Sequence, residues 1–129
     1  MSAREEIRVP EVGEPISHYT DAVRAGNLLF VSGCVPVDAN GGLVGGDDVV
    51  AQARQVFAIM GAILAAAGAG FADVVKVTVY LLDVGDRARI DPVRQEVFGA
   101  TRPASTLVEV SNLAVAGALL EVEAVALIP

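Results

Sequence analysis

At 129 residues the chain suits one domain over 1–129, able to bury roughly 65–70% of the surface its unfolded form would expose. Nine basic against 16 acidic residues give a net charge of −7, which argues against a nucleic-acid partner because phosphate backbones are held by clustered Lys and Arg. Hydrophobic residues make up 53% of the chain, but charges and glycines interrupt them before the roughly 18 consecutive positions of a membrane span, and the opening Met-Ser-Ala-Arg-Glu-Glu lacks an apolar leader core. A soluble protein with no membrane partner is expected.

In chain order, residues 21–37 hold two short apolar stretches around Ala25-Gly26-Asn27, where glycine and asparagine can supply the positive φ of a tight turn, so a hairpin is predicted. Turn chemistry follows at 38–42 and 45–48, with aspartates able to accept from the free N–H groups that open a helix. Val50, Ala53, Val56, Phe57, Met60, Ile63, Leu64 and Ala67 keep the spacing of one buried helical face, and Gly68 and Gly70 end it. Residues 74–84 are β-branched and aromatic, with both alternate sets largely apolar, and read as a strand covered on both faces. Asp86 or Asp91 caps a second helix, Pro92 taking its first position in the latter case, with Ile90, Val93 and Val97 inward. Strands at 106–110 and 119–127 complete the chain; in the last, Glu121 and Glu123 share one face and Leu120, Val122 and Ala124 the other.

This order predicts an α+β fold: a mixed sheet with two helices on one face. No third helix covers the other face, so an apolar surface is expected there, and association of copies through it is the cheapest remedy.

Cys34 and His18 are the only residues of their types. No intrachain disulfide is possible, a reducing cytoplasm is the simplest location, and neither a metal site nor a cofactor is predicted. Glu121, an acid amid apolar strand residues, reads either as a group that orients water or as an edge or interface salt bridge. Ser32-Gly33-Cys34 either lets a ligand approach backbone N–H groups or marks a β-bulge. Cys34 is a nucleophile or a small buried hydrophobe, and no nearby base favours the thiolate. His18 and Tyr19 form either an aromatic pair at a cleft or a loop histidine beside a packing tyrosine. Arg87, Arg89 and Arg94 read most simply as the wet face of the second helix. The glycine pairs at 41–42 and 45–46 lack the Gly-Lys-Ser/Thr ending of a phosphate loop.

Taken in order, ISHYTDAV, LLFVSGCVPVD, AQARQVFAIMGAILAAAG, VVKVTVYLLDV, RPAST and LLEVEAVA resemble the RidA (YjgF-type) family, once labelled endoribonuclease L-PSP, over nearly the whole chain. The resemblance implies a chorismate-mutase-like fold, a homotrimer with three intersubunit clefts for a small-molecule ligand, and cofactor-free hydrolysis of imines or enamines such as 2-iminoacids to 2-oxoacids and ammonia. It implies catalytic roles for Tyr19, Ser32 and Glu121, the last positioning the attacking water. Gly33, Cys34, Asp91, Arg94, Ser105 and Leu107 would then contact substrate. The chain departs from the family pattern at Ser17-His18 for Gly-Pro, Cys34 for glutamine, Ile59 and Asp91 for asparagines, and Ser105 for the arginine of Pro-Ala-Arg.

That last departure is the largest in energy. Losing one partner of a buried arginine–carboxylate fork costs roughly 2–5 kcal/mol, whereas a neutral hydroxyl bond nets about 0.5–1.5 kcal/mol. Ser105 alone therefore predicts poor handling of simple 2-iminoacids, with a ligand uncharged at that end or anchored by another group. Arg102, three positions from Ser105, would point to the opposite face of an ideal strand. Arg94, one turn beyond Asp91, is the better replacement. Two other readings stand beside the deaminase: a non-catalytic trimer binding a metabolite or partner in the same clefts, and a ribonuclease, which the charge of −7 disfavours.

Overall fold

The computed structural model describes residues 3–129; Met1 and Ser2, the head of the stretch read for a leader, lie outside the described residues. Six strands, β1 (Arg4–Ile7), β2 (Ala22–Ala25), β3 (Leu28–Cys34), β4 (Val74–Leu81), β5 (Ala104–Glu109) and β6 (Leu120–Leu127), form one sheet in the order β1-β2-β3-β6-β4-β5. Only the β4–β5 pair is parallel, so the sheet is mixed. Helices α1 (Val49–Ala66) and α2 (Arg87–Phe98) share one core with the inward residues of the sheet, among them Leu29, Val31, Val77, Val79, Leu81, Leu120 and Val122. The α+β architecture with both helices on one side is as the sequence predicts.

The β2–β3 hairpin closes through Gly26-Asn27, since Ala25 pairs with Leu28. Gly26 alone takes a positive φ, 62°, so the second positive φ expected of Asn27 is absent. One left-handed residue at the first loop position is the type II′ pattern, which glycine satisfies unaided.

The Asp48 carboxylate caps α1 by accepting from the Val50 N–H at 2.9 Å, and Gly68, at φ 77°, follows its end. The buried stripe includes a polar residue the periodicity did not flag. Gln52 is fully buried, donates to the carbonyls of Gly46 (2.7 Å) and Gly117 (3.0 Å) and accepts from the Leu119 N–H (2.7 Å), tying the start of α1 to the entry of β6. With 18 residues at a mean hydropathy of 1.6, α1 is long and apolar enough for a membrane span by composition; here its apolar stripe lies against the sheet.

Three expectations are corrected. A bulge between Val74 and Lys76 shifts the parity of β4, so Val77, Val79 and Leu81 face the helices while the other face carries Lys76, Thr78 and Tyr80. That strand is not apolar on both sides. Helix α2 begins at Arg87, which places Asp91 and Pro92 inside it rather than at its start; Asp86 holds the cap position but makes no side-chain cap bond there, its carboxylate instead meeting Arg89 at 3.4 Å. Strand β5 starts at Ala104, directly after Pro103, earlier than the expected 106.

The register shows what the uncovered face contains. Val23, Phe30 and Val125 are cross-strand partners, as are Ala25, Leu28 and Leu127, which makes the β2–β3–β6 end apolar, with Phe30 46% and Leu127 43% exposed. Towards β4, Tyr80 pairs with Glu121 and Thr78 with Glu123, which makes that end polar.

Candidate functional site

Seven of the proposed site residues fall into two separate cavities. The first, about 240 Å³, is lined by Ile16, Ser17, Tyr19, Ser32, Gly33, Val35, Ala114 and Glu121. It exists because β3 carries one extra residue between Val31 and Cys34, a bulge that breaks pairing with β6. The bulge and the glycine act together: a β-carbon on Gly33 would overlap the Glu121 carboxylate, so the glycine gives that carboxylate its place on the β3 backbone. Half-burial, and secondarily the charge of Glu123, raise the Glu121 pKa above the ordinary carboxylate range. Glu123 itself accepts from the Tyr80 hydroxyl at 3.0 Å.

The rest of this cavity is held by backbone contacts. Ser32 Oγ donates to the Thr20 carbonyl at 2.6 Å, and the Ser32 N–H donates to the Asp21 carbonyl at 3.0 Å. Tyr19 Oη accepts from the Ile16 N–H at 3.3 Å, which pins the 16–19 loop and leaves the phenol proton free to donate. Asp21, missed by the sequence reading, is buried, accepts from the Val9 N–H at 2.7 Å and pairs with Arg8. Its carboxylate thus ties residues 8 and 9 to the chain after Tyr19, while its carbonyl holds the Ser32 N–H.

Cys34 lies below, 3% exposed, with its sulfur directed at the Ser32 carbonyl. Burial first, then Glu121 and Asp21, push its pKa strongly upward. This is the buried-hydrophobe reading; a thiolate nucleophile is the form such surroundings disfavour. His18 is exposed and lines neither cavity.

The second cavity, about 270 Å³, lies between α2 and β5 and is lined by Asp91, Arg94, Gln95, Phe98, Gly99, Arg102, Pro103 and Ser105. Ser105 pairs with Val77 and so lies on the helix side of the sheet, opposite to Glu121. Arg94 is not on a wet face: half-buried, it donates from Nη2 to Ser105 Oγ at 2.8 Å. Desolvation lowers its pKa, with Asp91 partly opposing. Asp91 accepts from Gln95 Nε2 at 2.8 Å. Arg102 lines this same cavity, contrary to the alternation that pointed it away, because it precedes Pro103 and is not part of the strand. Leu107 packs against the core and lines neither cavity. Within one chain, then, Tyr19, Ser32, Gly33 and Glu121 come together, as do Asp91, Arg94 and Ser105, and the two groups stay apart.

Comparison with known proteins places this geometry in a family. The model of the family described as Endoribonuclease L-PSP matches residues 11–128. A RutC family protein of Pyrococcus horikoshii is 43% identical, covering 95% of this chain and 97% of its own. The protein named 3-aminoacrylate deaminase RutC in Acinetobacter baylyi is 37% identical, covering 94% and 96%. The crystal structure of RidA from the Antarctic bacterium Psychrobacter superposes with a TM-score of 0.90 at 33% identity, covering 96% and 99%.

Proposed function

The chain belongs to the endoribonuclease L-PSP family, the group that includes RidA and RutC, and on that premise we propose that it is a hydrolytic deaminase of a small reactive imine or enamine. The carrying observation is Glu121: a carboxylate with raised pKa, seated on a glycine of a strand bulge and facing a cavity with Tyr19 and Ser32. Such a group takes a proton from water as the oxygen adds to the carbon of the protonated imine and returns it to nitrogen as the C–N bond breaks, the hydroxyl proton passing to solvent, which releases ammonia and leaves a carbonyl. The free Tyr19 proton can hydrogen-bond that oxygen as the hydroxyl loses its proton and negative charge develops there in the breakdown step. No cofactor is needed for this hydrolysis, and a chain with one buried cysteine suits the cytoplasm.

In this reading the chain works as a homotrimer, its apolar sheet end covered by another copy, so that the Glu121 cavity of one copy meets the α2–β5 edge of its neighbour. Arg94 then replaces the guanidinium absent at Ser105, delivered from the helix instead of the strand. That supplies an anchor for a substrate carboxylate and removes the reason to expect poor handling of 2-iminoacids.

The test is release of ammonia from 2-iminopropanoate and from 3-aminoacrylate. We expect turnover by the unmodified protein and a loss in Glu121→Gln of about 10²-fold or more in kcat with little change in KM, as for removal of a general acid–base group. Ligand binding without turnover in the unmodified protein would instead establish the non-catalytic trimer.

A further inference from the structure

We propose that the α2–β5 cavity is a site for a small dicarboxylate, with Arg94 holding one carboxylate and Arg102 the other, so that the imine or enamine is a diacid; this rests on the deaminase reading above.

The cavity is lined by two guanidiniums, one more than a single carboxylate needs as a partner. Arg94 and Arg102 both line it, and among the described residues neither is in an ion pair. The one acid in the lining, Asp91, already accepts from Gln95. In a chain of net charge −7, two arginines against one acid beside one pocket are a local reversal of sign, and a guanidinium that is half-buried, as Arg94 is, gains most from an incoming anion.

The donors are set for carboxylate oxygens. Arg94 spends one N–H on Ser105 Oγ, and since that oxygen accepts, the serine proton is free to donate. Arg94 and Ser105 thus offer neighbouring donors to one oxygen pair. Arg102 stands before Pro103, whose ring confines it to extended backbone and limits where its side chain starts. Phe98 and Pro103 add apolar wall for a short carbon chain. The volume, about 270 Å³, is at the foot of the roughly 300–1,000 Å³ usual for small-molecule pockets, which suits a short diacid and not a nucleotide.

Calorimetric titration of the intact protein with acetate, malonate, succinate, glutarate and inorganic phosphate decides the matter. The best diacid is expected to bind at least tenfold tighter than acetate and tighter than phosphate. In Arg102→Gln, an exposed position at which the fold is not at risk, the diacid-to-acetate ratio is expected to fall below threefold; Arg94→Gln is expected to weaken both acids tenfold or more. Equal affinity for acetate and every diacid, an unchanged ratio in Arg102→Gln, or phosphate as the tightest ligand would each overturn the proposal. The deaminase reading fails separately: a diacid preference without hydrolysis of 2-iminopropanoate or 2-iminoglutarate keeps this site and loses that function, whereas turnover of both imines with no diacid preference does the reverse.

Discussion

The two cavities are opposites in charge and in how they are built. Around Glu121 the sheet concentrates acid: a carboxylate with raised pKa, a second carboxylate on the same face and a phenol between them. Between α2 and β5 the fold concentrates base, two arginines with no ion-pair partner among the described residues. The first cavity depends on a bulge and a glycine and is tied down by backbone bonds. The second lies at an edge strand exposed along most of its length and uses long side chains. Proton transfer needs a group fixed to a fraction of an ångström, whereas charge recognition tolerates longer reach. Each region has the construction its proposed task demands, and in one chain they lie on opposite faces of the sheet.

The largest expected effect tests whether a second copy unites them. If each working cleft takes Glu121 from one subunit and Arg94 from its neighbour, Glu121→Gln and Arg94→Gln proteins, weakened at low substrate by about 10²-fold and about tenfold, exceed the mean of their separate activities when unfolded and refolded together. Random assembly leaves about a quarter of clefts with both native groups. Ammonia release below KM is the readout. No excess over that mean, with mixed trimers verified by native mass spectrometry, would place chemistry and anchor in one subunit or in unrelated sites.

Next in size is Gly33→Ala, which probes the first region alone. The added methyl meets the far end of a flexible side chain, the Glu121 carboxyl, while the Gly33 backbone itself needs no left-handed φ. The carboxylate is expected to swing away at little cost to folding. Turnover should then fall about 10²-fold with a denaturation midpoint close to the unmodified protein's. A large drop in stability with turnover preserved would mean that the glycine serves packing and not the acid.

The corresponding change in the second region, Arg94→Gln, should act on binding. We expect KM for an anionic imine to rise about tenfold, some 1.4 kcal/mol, with kcat changed less than threefold. Arg94→Lys should recover part of the loss, since charge remains but the fork is gone. A kcat effect without a KM effect would move Arg94 into the chemistry and erase the division of labour.

The first region was the more legible in the sequence, for physical reasons. A helix with a 3.6-residue stripe, a hairpin with glycine at its turn and an acid in an apolar strand are local patterns, and α1, the β2–β3 hairpin and the faces of β6 follow from them. What failed did so where local periodicity is interrupted. One bulged residue in β4 reversed the faces of the strand, and Pro103 removed Arg102 from the alternation that would have aimed it away. The Arg8–Asp21 pair and the Gln52 contacts join positions 13 or more apart, except for Gly46, and no spacing rule announces them. Arg94 looked like a solvated helix residue because its partner, Ser105, becomes a neighbour only when β5 pairs with β4.

The smallest expected effect is thermodynamic and separates the acid's place in the fold from its place in catalysis. A carboxyl whose pKa is raised by folding holds its proton at a pH where the unfolded chain has already released it. Its contribution is therefore fully present below the ordinary glutamate value, near pH 4.3, and is lost as pH rises through the higher folded value. Glu121→Gln removes that loss because glutamine is neutral at every pH. Thermal denaturation should show the variant no more stable than the parent near pH 4 and more stable by a modest margin near pH 8, the gap opening across the interval between the two pKa values. The same protein should be nearly inactive throughout, so that Glu121 costs stability at the pH where its ionised form works. A gap of the opposite sign would mean that the folded protein stabilises the carboxylate and that half-burial on the Gly33 bulge does not govern its titration.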